Sequence, residues 1–171
     1  MDEELTMRAL AAALPFLRDR VYSPGPLRVF TDWMTPEELP EAARLAHDEL
    51  DFTRGMHVIG TDEGGDLGFS YLLTGESGVI LVLRAKAPKA DPRIHSLTGL
   101  YPAMLLHERE LADLFGAVVE DLPAGQSYPL PDDWPAGQYP MRKEWDPRYF
   151  DRETMTYAPP ARPEGPEEKT T

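Results

Sequence analysis

The stretch MHVIGTDEGGDLGFSYLLTGESGVILVLRAKA, residues 56–87, decides the fold. Three runs within it, 56–60, 67–73 and 79–87, are rich in Val, Ile, Leu, Phe and Tyr and have the length of strands. The connectors TDEGGD and TGESG hold the Gly, Asp and Thr that tight reversals require, so the runs read as an antiparallel meander. DEGGDLG is glycine-rich, but it joins a strand to a strand rather than to a helix, which makes it a hairpin turn and not a phosphate cradle. PKADP, residues 88–92, ends the sheet.

On the N-terminal side, Met7, Leu10, Leu14, Leu17 and Val21 recur at helical spacing, with Pro15 placed to end or kink the helix near Leu14. SPGP, residues 23–26, is a break, and LRVF after it reads as a short strand. A second helix starts strongly: Thr35 caps, Pro36 suits the first helical position, and Glu37 and Glu38 favour the positive end of the dipole. Leu39, Ala42, Ala43, Ala46 and Leu50 form its buried face. On the C-terminal side a third helix has Pro102 in its first turn and Gly116 placed for a left-handed cap. Leu105, Ala112 and Phe115 share one face, with Met104, Leu111 and Leu114 beside them, so this helix can lie on the sheet. The expected fold class is α+β, a small, mainly antiparallel sheet packed by helices over residues 1–117.

From Val118 the character changes. More than half of the 18 prolines lie beyond it, and neither helical nor strand periodicity survives. A linker would be poor in aromatics, yet Tyr128, Trp134, Tyr139, Trp145, Tyr149, Phe150 and Tyr157 are spread along this part. Residues 118–158 therefore read as a long extended segment without a core of its own. Its large side chains must be buried on the domain or on a partner, and Tyr128, Trp134, Tyr139 and Trp145 are the candidate partner anchors. Residues 159–171 carry neither aromatics nor pattern and read as a mobile tail.

The formal net charge of −13 opposes binding to nucleic acid or to anionic lipid. The absence of cysteine removes disulfides, zinc–thiolate sites, thiol nucleophiles and cysteine-ligated iron–sulfur clusters of the chain's own. No apolar stretch approaches the roughly 20 residues of a spanning helix. Met1-Asp2-Glu3-Glu4 is the opposite of a basic signal peptide, so a cytoplasmic placement is expected.

Within the third helix, HERELADLFG (107–116) crowds His107, Glu108, Arg109, Glu110 and Asp113 together. His47, His57, His95 and His107 show no HExxH spacing, and His107 with Glu110 and Asp113 is a thin basis for a metal site. Glu108 and Asp113 could be an acid–base pair, but nothing singles them out among thirty acidic residues. Arg109 and Asp113 have the spacing of a pair along a helix, while Glu108 and Glu110 diverge. Such charges form either a solvated face or a surface buried against another chain, and pattern alone leaves both open.

ERELADLFG, residues 108–116, and YPMRKEW, residues 139–145, resemble in order the two signature elements of the thirty-kilodalton subunit of respiratory complex I, the C-type subunit of NADH:quinone oxidoreductase. LTGLYPAMLLHERE and VIGTDEGGDLGFSYLL are also similar to the family, so the resemblance covers most of residues 5–150. Leu106 stands where complex I members commonly have Trp, and EDLPAGQSYPLPDDWPAG replaces a Gly-His-Pro-Asx-Leu-Arg-Arg element. These departures, with LPDDWPAGQYPMRK, look more like the equivalent subunit of energy-converting [NiFe] hydrogenases, which include formate hydrogenlyase.

The resemblance implies a scaffold with no active site and no cofactor of its own. Its partners would be the large catalytic subunit and the subunits bearing Fe–S clusters, with Ni–Fe or flavin elsewhere in the assembly. The whole would sit on the inner face of the cell membrane. By the family motifs the docking residues would be Glu108, Arg109, Glu110, Asp113, Phe115, Gly116, Pro140, Arg142 and Lys143. The alternatives are the same subunit in a true NADH:quinone oxidoreductase, or an unrelated protein-binding module.

Overall fold

The computed structural model describes residues 2–160. Helix α1, Glu3–Ala13, starts where the Asp2 carboxylate accepts the Leu5 N–H at 2.9 Å. The apolar stripe runs on, but the helix does not: Pro15 opens a 3₁₀ turn, Pro15–Leu17, and Val21 begins strand β1, Val21–Gly25. Leu14 and Leu17 are buried all the same. The SPGP break is thus displaced. Ser23, Pro24 and Gly25 lie within β1, an edge strand where proline is tolerated, and the reversal falls on Pro26 and Leu27.

Strand β2, Arg28–Met34, extends beyond LRVF. Before helix α2, Glu38–Asp48, Thr35 and Glu38 form a reciprocal capping box. The Glu38 N–H donates to Thr35 Oγ1 at 3.3 Å, and the Thr35 N–H donates to Glu38 Oε2 at 2.9 Å. The helix begins at Glu38, with Pro36 in the turn before it.

The meander forms as expected from β3, Arg54–Asp62, β4, Asp66–Thr74, and β5, Ile80–Pro88, all antiparallel. The five-stranded sheet has the order β1-β2-β5-β4-β3, and its β2–β5 junction is parallel. Leu67, Phe69, Tyr71 and Leu73 of β4 alternate toward the core with Leu81, Leu83, Ala85 and Ala87 of β5. Leu10, Leu39, Ala42, Ala43, Ala46, Leu111 and Phe115 cover them from the helices.

A short parallel pair, β6, Arg93–His95, and β7, Val118–Glu120, was not foreseen, because Val118 onward shows no strand period. It joins the chain entering helix α3, Leu105–Phe115, to the chain leaving it. Pro102 lies in a 3₁₀ turn, Pro102–Met104, ahead of α3 rather than in it. α3 lies close on β3: a Cβ on Gly60 would stand 2.5 Å from the Phe115 ring and 2.9 Å from Leu111 Cδ2. Two short strands, β8, Phe150–Asp151, and β9, Thr156–Tyr157, pair near the end of the described chain. The tail beyond residue 160 lies outside the described residues. Among those described, no helix is long and apolar enough to cross a membrane.

Candidate docking site

The charged residues of α3 do not share one surface. Glu108 is wholly buried. Its Oε1 accepts the Leu97 N–H at 2.8 Å and the Tyr71 hydroxyl at 3.1 Å, and its Oε2 accepts the Ser96 hydroxyl at 2.6 Å. Burial pushes the Glu108 carboxyl above its ordinary value, and these three bonds pull the other way without cancelling it. Burial and the facing carboxylate also push the Tyr71 hydroxyl well above the ordinary tyrosine value. The expectation that Glu108 faces a partner is corrected: it ties the helix to β4 and to the Ser96–Leu97 turn of its own chain.

Arg109 is turned on its own chain as well. Its guanidinium donates to the carbonyls of Gln126 at 2.7 Å, Ala124 at 3.0 Å and Pro123 at 3.1 Å, while Nε is buried without a partner. Gly125 lets the loop come this near, since a Cβ there would overlap the guanidinium. The pairing of Arg109 with Asp113 is not formed; Asp113 accepts the Leu130 N–H at 3.3 Å instead. Both residues thereby hold the chain of 123–130 against α3.

Glu110 is half-buried, 3.7 Å from His107 Nδ1, and His107 in turn faces His57 of β3 at 3.1 Å. Among the described residues no group of three or more His, Asp or Glu is arranged to hold a metal ion.

The second motif closes the far end of the helix. Gly116 adopts φ 70°, which a side chain would strain, and the Tyr139 ring lies where its Cβ would be. Arg142 Nε donates to the Phe115 carbonyl at 2.7 Å and its Cζ lies 4.5 Å from the Tyr139 ring centroid. Its charge thus meets the negative end of α3. The Met141 N–H donates to the Leu114 carbonyl at 3.0 Å. Pro140 is half-buried beside them, and the side chain of Lys143 is exposed.

The backbone of Lys143 is anchored by a residue that sequence reading missed. Asp62 Oδ2 accepts the Lys143 N–H at 2.8 Å and Lys89 Nζ at 2.6 Å, while Oδ1 accepts the Gly64 N–H at 2.8 Å. Lys89 also pairs with Glu144 at 3.0 Å. Burial would raise the Asp62 carboxyl, but Lys89 and the two N–H groups outweigh it and hold the pKa at about 2. The only advance signal was Asp62's place in a turn.

The four candidate partner anchors divide. Tyr128 is exposed, and Tyr139 lies over Gly116. Trp134 and Trp145 belong to an aromatic cluster that the sequence reading did not expect. Trp134 is 4.6 Å from Phe150, and Trp145 stacks on Tyr157 at 5.5 Å and 13°. The C-terminal segment therefore has a small core of its own, closed by β8 and β9, and is not simply extended.

Residues 33–151 match the family described as respiratory-chain NADH dehydrogenase, 30 Kd subunit. The chain belongs to this family. The C-type subunit of NADH-quinone oxidoreductase from Streptomyces coelicolor is 37% identical over 116 residues, 64% of this chain and 45% of that protein. Its counterpart from Roseiflexus is 28% identical over 151 residues, 84% of both chains. The chain spans about half the length of the first curated relatives it matches, 45% for Streptomyces coelicolor and 55% for Acidothermus cellulolyticus.

Two solved structures share the fold. One is a chain of an archaeal respiratory membrane complex, the membrane-bound sulfane sulfur reductase. It has a TM-score of 0.74 at 20% identity and covers 91% of this chain and 98% of its own. The other is a trypsin-resistant fragment of Nqo5, with a TM-score of 0.54 at 24% identity over 68% of this chain and 99% of the fragment. In this member of the 30 Kd subunit family, the side chains of the signature helix and of the downstream element clasp the C-terminal segment to the domain.

Proposed function

We propose that this chain is a non-catalytic docking subunit in the peripheral arm of a membrane-bound, complex-I-related oxidoreductase, on the cytoplasmic face. The observation that carries the reading is the clasp. Arg109, Asp113 and Arg142, signature residues of a family of complex subunits, hold the segment from 123 to 142 against α3 through bonds within the chain itself. A segment ordered in advance loses less freedom on association. Around the clasp, Leu106, Val118, Tyr128 and Met141 are exposed large side chains suited to a partner surface. The partners would be the large catalytic subunit and the Fe–S subunits, which would carry the redox groups.

Leu106 and the 120–137 stretch support the energy-converting [NiFe] hydrogenase branch. The relatives named as parts of NADH-quinone oxidoreductase favour the other branch. The test is purification of the tagged chain from gently solubilised membranes of its host, with identification of what accompanies it. A large subunit and Fe–S subunits are expected, and nickel-binding cysteines in the former would select the hydrogenase branch. Recovery of the chain alone would overturn the reading.

A further inference from the structure

Beside the clasp lies an open cavity of about 420 Å³. Pro102, Leu105 and Pro123 give it apolar walls, and Ser96, Thr98 and Asp121 supply its polar atoms. Both signature residues build it. Glu108 stands behind the floor through Ser96, and Arg109 fixes one wall by holding the Pro123 carbonyl.

Glu108 also sets the direction of the floor's hydrogen bonds. With the carboxylate ionised, the single proton of the Ser96 hydroxyl is donated to Glu108 Oε2 at 2.6 Å. The 2.7 Å bond between Ser96 Oγ and Thr98 Oγ1 must then be donated by Thr98. Thr98 thus has only lone pairs left, and Asp121, held at φ 61°, adds a carboxylate. The cavity offers acceptors and no side-chain donors. Nearby basic side chains are already engaged: Arg109 by three carbonyls, and Arg93 and His95 by Glu120.

We infer that this cavity is a socket for a lysine or arginine side chain presented by a partner polypeptide, its aliphatic stem along the proline and leucine walls and its head on Thr98 and Asp121. A donor-only head on an apolar stem is the complement of a floor whose side chains only accept and of apolar walls, and a chain of net charge −13 favours a basic partner surface. The partner rests on the reading given under Proposed function; the chemistry of the cavity does not.

The experiment has two arms. In the first, the ¹⁵N-labelled full chain is titrated with n-butylguanidinium and with neutral n-butylurea. Saturable amide shifts at Thr98, Gly99 and Asp121 are expected for the guanidinium alone. Asp121→Asn should weaken it by about tenfold. Glu108→Gln, whose amide donates to Ser96 and frees the relay to reverse, should narrow the preference for the cation, with Asp121 keeping the remainder. Equal shifts from the urea, or shifts scattered over the acidic surface, would overturn the socket.

In the second arm, Asp121→Lys, checked for an unchanged circular dichroism spectrum, is expressed in the host. Loss of co-purifying subunits is expected, and wild-type recovery of them would overturn the partner as the source of the side chain. A wild-type chain that purifies alone would instead defeat the docking reading, while the first arm still reports on the cavity.

Discussion

Arg109 and Gly125 form one contact, and a double-mutant cycle can measure it. In the native chain the guanidinium fills the space a Gly125 side chain would take and bonds the carbonyls of Pro123, Ala124 and Gln126. These bonds are solvent-exposed, so at the lower end of the usual range, about 0.5–1 kcal/mol each, Arg109→Ala should cost about 2 kcal/mol. Gly125→Ala displaces the same guanidinium and should cost nearly as much in the wild-type background. Gly125 does not sit at positive φ, so alanine meets no backbone strain there. Once Arg109 is gone the clash is gone, and the substitution should stabilise by about 0.4–1 kcal/mol through the reduced freedom of the unfolded chain. The effect of Gly125→Ala therefore changes sign between the two backgrounds. Urea unfolding followed by tryptophan fluorescence supplies the four stabilities. Additive costs, or a neutral Gly125→Ala in the wild type, would show that the guanidinium does not hold the loop.

Other perturbations test the remaining contacts. Glu108→Gln should cost about 1–3 kcal/mol, because Ser96 loses a charged acceptor in a buried site. Because burial raises the Glu108 carboxyl above 4.5, its protonated form favours the folded state, and that contribution is full below pH 4.5 and fades as pH rises through the folded value. Wild type should thus lose stability relative to Glu108→Gln as pH rises from 4.5, and the opposite trend in urea midpoints would refute the burial argument. Asp62, held at about 2 against an ordinary 3.8, stabilises above pH 3.8 and loses that contribution as pH falls toward 2. Acid unfolding over that window should flatten in Asp62→Asn. Gly60→Ala places a methyl 2.5 Å from the Phe115 ring and should cost about 1–3 kcal/mol by forcing α3 from the sheet, read as a drop in thermal midpoint.

The meander was legible because each strand carried its own apolar run and each turn its own chemistry. Elements fixed by partners distant in sequence were not. Val118–Glu120 is a strand only because Arg93–His95 lies beside it, and the parallel β2–β5 junction depends on how the layers stack. Ser23-Pro24-Gly25 read as a break because an edge position, which spares proline a ladder bond, is invisible locally. Of the site, the signature helix and its left-handed Gly116 were legible; the directions of its side chains were not. Glu108 and Arg109 are adjacent and look equally polar, yet one is buried under Tyr71 and the other reaches a loop many residues away. The aromatic cluster was missed because Trp134, Trp145, Phe150 and Tyr157 follow no period and meet only when the segment folds back.

An internal clasp and a docking surface are not rivals. Ordering a residue costs about 1–2 kcal/mol in backbone freedom, and the segment beyond Val118 has only a small aromatic core to offset it. The bonds from Arg109, Asp113, Arg142 and Asp62 supply more of that order within the free chain. On the docking reading proposed above, a partner would meet a formed surface and bear less of the entropic cost. The two roles differ in what they predict for the free chain. If Arg109 touched a partner alone, its loss would weaken assembly and leave the isolated chain's stability unchanged. If it acts through the clasp, Arg109→Ala lowers both together, and a variant that restores the 123–126 loop by another route restores both.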